Sequence, residues 1–291
     1  MRATVATSEV GTHTPEGKSW LAVNPDAELI PVARANGITH FLPVPQGGTV
    51  TGQSGLMATA GWGYENMLAH SPVALHLFWP SMNINPTADD AKKQAKERDK
   101  RLKKIDDFFE EARAYAKSQS APDHKGVPSW DAMLPWVRGE KPLIIHANSL
   151  MQIKSAVNWS TKRGWQPVIA GGRDAWRVAE LLAKHNVPVI FEHTFTLPTR
   201  DFDRYDIQFR AAGILHKAGV KVAFSEGLAR FAASNARNLP YSAAQSATHG
   251  MPRDVALKGI TLHTAEILGV AKRLGSIERS EEHTSELQSR A

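Results

Sequence analysis

The chain has 291 residues, enough for one large domain with a sizeable core. With 42% apolar and 22% charged residues it is neither a disordered nor a fibrous chain, and with no cysteine it has no disulfide, thiolate metal site or cysteine nucleophile. No apolar run reaches the roughly 18 residues of a membrane span, and residues 1–10 lack the apolar stretch of a secretory signal. These features fit a soluble protein and leave cytoplasm and periplasm both open. The net charge of +6 is matched by residues 91–104 alone, where eight basic side chains (Lys92, Lys93, Lys96, Arg98, Lys100, Arg101, Lys103, Lys104) meet two acidic ones (Glu97, Asp99). No aromatic residues interleave that run as a single-strand stacking platform would need, so it reads as a solvated helix face and no nucleic-acid partner is expected.

In chain order, residues 26–37 read as a helix with Asp26 as N-cap candidate and Gly37 at its end, although Pro31 favours a later start. A strand at 38–44 precedes a glycine-rich loop at 45–55, and a second strand at 73–79 stops at Pro80. Residues 87–118 form a long helix, with Thr87 and Asp90 as a variant capping box. Leu102, Ile105, Phe109, Ala112 and Ala116 make one buried stripe on it. A shorter helix follows at 130–137. Strands at 142–147, 166–170, 187–191 and 220–224 then alternate with helices at 151–163, 174–185 and 205–218, and helices at 242–248 and 253–268 close the pattern. Continuous apolar strands alternating with helices predict a parallel sheet covered on both faces.

A doubly wound sheet and a TIM-type (β/α)8 barrel both fit this alternation. The sequence has no GxGxxG turn, which favours the barrel, where chemistry sits at the ends of strands. His146, Arg173, Glu192, His193, Ser225 and Glu226 all follow apolar strand runs in this way. No G-x-S-x-G elbow supports a serine triad, and the 45–55 loop lacks the ending of a phosphate loop.

Five segments carry a family resemblance: ARANGITHFLPVPQGG at 33–48, GEKPLIIHAN at 139–148, VIAGGRDAWRVAELL at 168–182, GVKVAFSEG at 219–227, and the long block from Asn235 to Glu278 that ends in LGSIE. In these the chain resembles the amidohydrolase superfamily, in particular its imidazolonepropionase-like branch. The resemblance implies a barrel holding one or two divalent metals, zinc or similar, and hydrolysis of a non-peptide C–N bond in a small cyclic or linear amide. The family's ligands are an HxH pair ending strand one, histidines ending strands five and six, and an aspartate ending strand eight.

Carried over residue by residue, that set is incomplete. His146 matches the strand-five histidine. Gly171 and Gly172 stand where the strand-six histidine belongs, Ser225 and Glu226 stand at the strand-eight aspartate, and the HxH pair with strand one is missing. The candidate metal ligands are therefore His146, Glu226 and His193, the last of which also reads as a loop histidine beside Glu192. Candidate substrate-binding residues are Gln46, Asn148, Arg173 and Arg237. Arg173 is equally a partner of Asp174, and Arg237 equally a loop brace. The expected fold is an incomplete TIM-type barrel over residues 1–278, with an open edge where strand one is absent. The alternative to a hydrolase is a barrel that binds small molecules or serves a structural role without hydrolysis; homo-oligomerisation stays open. Residues 279–289 resemble a sequencing adapter translated in frame, which makes 279–291 a non-native tail.

Overall fold

The computed structural model describes residues 11–87, 90–121, 124–229 and 231–276; the proposed tail lies outside them. The sheet has seven strands in sequence order: β1 (His40–Phe41), β2 (Val50–Ala58), β3 (Leu68–Phe78), β4 (Leu143–Ala147), β5 (Pro167–Gly171), β6 (Val189–Phe191) and β7 (Val222–Phe224). The β1–β2 and β2–β3 pairs are antiparallel, and β3 through β7 are parallel. This corrects the (β/α)8 expectation. The sheet is mixed and open, because among the described residues β1 pairs only with β2 and β7 only with β6.

All six predicted strands are present. The seventh, β2, falls on the predicted glycine-rich loop. Its glycines serve close backbone approach rather than a turn: a Cβ on Gly52 would lie 2.5 Å from the Gly17 carbonyl oxygen. The other residues of Val50–Met57 are buried, as a strand between two neighbours requires.

Side chains alternate across the parallel strands. Leu143, Ile145, Ile169, Val189, Phe191, Val222 and Phe224 face the helices. Ile144, Val168, Ala170 and Ala223 face the opposite way and share one cluster with Leu56, Val73 and Ala74 from the β2–β3 side and Ala265, Ile267, Leu268 and Val270 from the C-terminal helix region. That helix packs on β7, so a cluster joining it to β3 means that the sheet curls around this face.

Both sheet edges are managed. β1 has only two residues. On β7, the His263 ring N–H donates to the Val222 carbonyl, Gly259 packs against the Phe224 ring, and Lys221 pairs with Glu266 at 2.7 Å.

The helices differ from the expected pattern mainly at their ends. The first is Leu29–Ala35, and it keeps Pro31 because proline is tolerated in a first turn. The long helix is Ala91–Ser118, without the capping box: Asp90 is its N-cap but accepts from the Gln94 side chain instead of a backbone N–H. The region predicted at 130–137 is two short helices, Pro128–Asp131 and Leu134–Val137. The region predicted at 174–185 is a 3-10 turn, Ala175–Val178, followed by Ala179–Lys184. The region predicted at 253–268 breaks at Thr261 into Arg253–Gly259 and Leu262–Ile267. Among the described residues no helix is long and apolar enough to cross a membrane.

Candidate functional site

Polar side chains collect on the concave face where the parallel strands end. His146 is the penultimate residue of β4 and shares the parity of Ile144, as His76 on β3 shares that of Ala74. The two imidazoles meet: His76 Nδ1 lies 3.0 Å from His146 Nε2, and His76 Nε2 lies 2.8 Å from Ser54 Oγ on β2. Phe78 stacks on the His146 ring at 4.2 Å. Ser54 and His76 are fully buried, and His146 nearly so. Burial pushes the His146 imidazole down to about 3 and that of His76 well below its ordinary value, so both rings are neutral at physiological pH. His146 Nδ1 makes no hydrogen bond among the described residues.

A second corner joins the ends of β4, β5 and β6. Ser149 and Gln152 form a reciprocal capping box that starts the helix Leu150–Thr161 and holds Asn148 in place through its N–H. Asn148 Oδ1 accepts from His193 Nε2 at 2.7 Å and from the Arg173 backbone N–H at 3.4 Å. Because the amide oxygen accepts, His193 carries its proton on Nε2 and leaves Nδ1 as a buried lone pair without a partner. Burial is the main cause that brings the His193 imidazole down to about 4. Asp174 accepts from the Leu150 backbone N–H and pairs with Arg200, not with Arg173.

This corner explains the glycines at the strand-six position. Gly171 has φ +93°, and a Cβ there would lie 2.4 Å from Asn148 Oδ1; Gly172 has φ +67°, and its Cβ would lie 2.9 Å from Val189. No side chain fits at Gly171 while Asn148 occupies that space. Gly171→Ala is expected to destabilise the protein by about 1–3 kcal/mol through its left-handed backbone conformation and to displace Asn148; a melting temperature equal to that of the parent would refute it.

A third group lies at β6 and β7. Glu192 follows β6 in the parity of Ile190, and its carboxyl makes no hydrogen bond or ion pair among the described residues. Burial pushes it up to about 7. Gly227 leaves it room, since a Cβ there would lie 3.0 Å from Glu192 Oε2. Glu226 accepts from Ser242 Oγ at 2.8 Å, and burial raises its carboxyl too.

The candidate ligands His146, His193 and Glu226 thus belong to three separate networks, centred on His76, Asn148 and Ser242. Among the described residues no three His, Asp or Glu side chains come together to hold an ion. A divalent metal of the kind the resemblance implies needs about three protein ligands and an open position, and these donors do not fit it. Of the candidate substrate contacts, Asn148 and Arg173 are adjacent. Gln46 bridges to the Leu228 carbonyl at 3.4 Å, tying the β1–β2 loop to the loop after β7. Arg237 is exposed in a 3-10 turn, without a hydrogen bond or ion pair to the described residues. Sequence reasoning missed His76 and Ser54; the spacing of Ala74, His76 and Phe78 on a period-2 strand was the available signal.

This fold is similar to that of an amidohydrolase from Thermotoga maritima MSB8, with a TM-score of 0.74 at 21% identity over 94% of this chain and 72% of that chain. The likeness defines the fold: the chain shares the architecture of that protein. A prolidase complexed with N-methylphosphonate-L-proline aligns at 18% identity over 50% of this chain and 38% of that one, with a TM-score of 0.37. A Xaa-Pro dipeptidase with bound methionine aligns at 19% over 52% and 39%, with a TM-score of 0.34. Both likenesses cover only about half of this chain. No protein-family model and no curated protein matches the chain.

Proposed function

We propose that the chain is a hydrolase of the amidohydrolase superfamily, of the imidazolonepropionase-like kind, acting on a non-peptide C–N bond of a small amide. Its fold likeness to the Thermotoga amidohydrolase supports the class. The observation that carries the reading is Glu192: an unpartnered carboxyl at the C-terminal end of a parallel strand, facing the concave side, with its proton affinity poised near neutrality. A carboxyl poised there serves as a general acid–base: its ionised form takes a proton from the water that adds to the amide carbon, and it returns that proton to the amine nitrogen as the C–N bond breaks. The neutral His146 ring adds an unbonded Nδ1 on the same face.

The test is hydrolysis of a panel of cyclic and linear amides by the purified chain. Glu192→Gln keeps the shape but not the proton, and is expected to lower kcat about a hundredfold, with KM little changed and with loss of an inflection near pH 7. Absence of any amide cleavage by the parent protein ends this reading. The second reading, binding without hydrolysis, is favoured by the Gly171–Asn148 contact, which fills the position where the family carries a histidine; saturable binding without turnover would select it.

A further inference from the structure

Ser54, His76 and His146 form a chain across three neighbouring strands, β2, β3 and β4, and the acid–base role of Glu192 makes no use of it. Its links are short: Ser54 Oγ lies 2.8 Å from His76 Nε2, and His76 Nδ1 lies 3.0 Å from His146 Nε2. A serine beside an imidazole is how a nucleophile is activated. Here Ser54 has no accessible surface, so no substrate carbonyl reaches its hydroxyl. What the chain carries instead is direction. Each neutral imidazole has one N–H and one lone pair, so the proton in one link fixes the proton in the next.

Two directions exist, and they differ in the number of hydrogen bonds made. With its proton on Nδ1, His76 donates to His146 Nε2, and Ser54 donates to His76 Nε2. That direction makes two bonds and leaves His146 with an Nδ1–H that has no acceptor among the described residues. With its proton on Nε2, His76 donates to Ser54, and the Ser54 hydroxyl donates to the Ala74 carbonyl at 3.5 Å. His146 then donates from its own Nε2 to His76 Nδ1. This direction makes three bonds, uses every N–H and O–H of the chain, and leaves over only the lone pair of His146 Nδ1. A buried donor without a partner bears its full desolvation cost, which favours the second direction. Phe78 lies nearly parallel to the His146 ring, 10° between the planes, and holds that ring in place. His146 keeps a small accessible area on the concave face.

We propose that Ser54 and His76 are positioning residues that lock His146 as its Nε2–H tautomer, so that Nδ1 stands on the concave face as a fixed acceptor for the N–H of the substrate amide. The substrate is then an amide that retains an N–H, whether primary, secondary or a lactam, and not an N,N-disubstituted one. That step rests on the hydrolase reading; the tautomer and the preference for an N–H are both measured without turnover.

The first measurement is a two-bond proton–nitrogen NMR correlation on the purified full chain, carrying isotope-labelled histidine, near neutral pH. The His146 signals are assigned by their loss in His146→Gln. The parent is expected to show a pyridine-type Nδ1 and a pyrrole-type Nε2. In Ser54→Ala the His76 Nε2–H loses its acceptor, so the proton shifts to Nδ1 and the His146 pattern reverses; Ser54→Thr, which keeps the hydroxyl, restores it. The second measurement is a ligand-observed titration with pyrrolidinone and N-methylpyrrolidinone. The parent is expected to bind the N–H lactam at least about fivefold more tightly, the size of one neutral hydrogen bond, and Ser54→Ala is expected to bind the two alike.

A parent His146 protonated on Nδ1, equal binding of the two lactams, or binding of neither overturns the proposal. So does a preference that persists in Ser54→Ala, since it would then come from the bulk of the methyl group. If Ser54→Ala does not fold, the parent spectrum and the parent preference decide the matter. N–H-selective binding without hydrolysis sinks the hydrolase reading and leaves the acceptor standing. Hydrolysis that is indifferent to the N–H does the reverse.

Discussion

Phe109→Ala is expected to destabilise the protein by about 3–5 kcal/mol, the range for truncating a buried aromatic side chain. Phe109 is 1% exposed in the middle of the helix Ala91–Ser118. Its ring meets Trp159 edge-on at 5.0 Å and Trp165 at 5.1 Å, and Trp159 in turn contacts Trp79 at the end of β3. The helix is attached mainly through Ile105, Phe109 and Ala112, because the half from Ala91 to Lys104 has no buried residue. Losing the ring therefore opens a cavity between the helix and the sheet that rigid indoles cannot refill. Polar links around it, such as Arg163 to Asp106 at 2.7 Å, are partly exposed and offset little of the loss. Domains of this kind hold roughly 5–15 kcal/mol in total, so the variant should unfold at a far lower denaturant midpoint. Lys100→Ala on the solvated face of the same helix should leave the midpoint within about 0.5 kcal/mol of the parent. A Phe109→Ala midpoint indistinguishable from that of Lys100→Ala would show that the helix does not depend on this contact.

That stripe was legible in the sequence because a 3.6-residue period survives any tertiary arrangement. The parallel strands were legible for a similar reason: PLIIHA and PVIF have no polar face to expose, so they had to be buried on both sides. β2 was not. Thr51, Gly52, Gln53, Ser54 and Gly55 look like a loop by composition, and only their neighbours reveal that Gln53 is satisfied by the Pro15 and Ala132 carbonyls and Ser54 by His76. Closure of the sheet was illegible as well. Whether β7 meets another strand or is covered by a helix depends on His263 and Gly259, whose roles are set by tertiary position.

The site divides along the same line. His146, Arg173, Glu192 and His193 were visible as polar residues following apolar runs, a local signal, and Asn148 only as a candidate substrate contact. Which of them meet was not visible, because that depends on side-chain direction and on loops separated by tens of residues. The Gly171–Gly172 pair read as a lost ligand; in three dimensions it is the space that lets Asn148 reach across to His193. His76 was hidden inside a strand that read as apolar, and its pairing with His146 requires the β3–β4 register, Leu75 with Leu143 and Phe78 with His146.

Acid is expected to unfold the protein through the same histidines, and the sign follows from their burial. A histidine whose folded pKa lies below its unfolded value of 6.5 leaves the unfolded state binding more protons, so stability falls as pH drops from about 6.5 toward the folded pKa. For His146, with a folded value of about 3, the loss is about 2 kcal/mol at pH 5 and about 4 kcal/mol at pH 3.5. His76 and His193 act in the same direction. Glu192 opposes them: its folded pKa of about 7 exceeds the ordinary 4.5, so the folded state takes up a proton first and gains stability as pH falls from 7 to 4.5. That gain is about 2 kcal/mol between pH 7 and 5 and is nearly exhausted at 4.5. Asp206, held below the ordinary carboxylate range by hydrogen bonds from Arg204 and Arg210, adds a further loss once pH passes below 3.8. The melting temperature should therefore fall between pH 7 and 5, with Glu192 offsetting only part of the histidine loss, and more steeply between pH 4.5 and 3.5. In Glu192→Gln the opposing gain is absent, so the decline should begin near pH 6.5 and run steeply from there. Thermal unfolding followed by circular dichroism at pH 7, 5 and 3.5 checks both curves; a parent melting temperature that holds level from pH 5 to 3.5 contradicts the buried neutral pair.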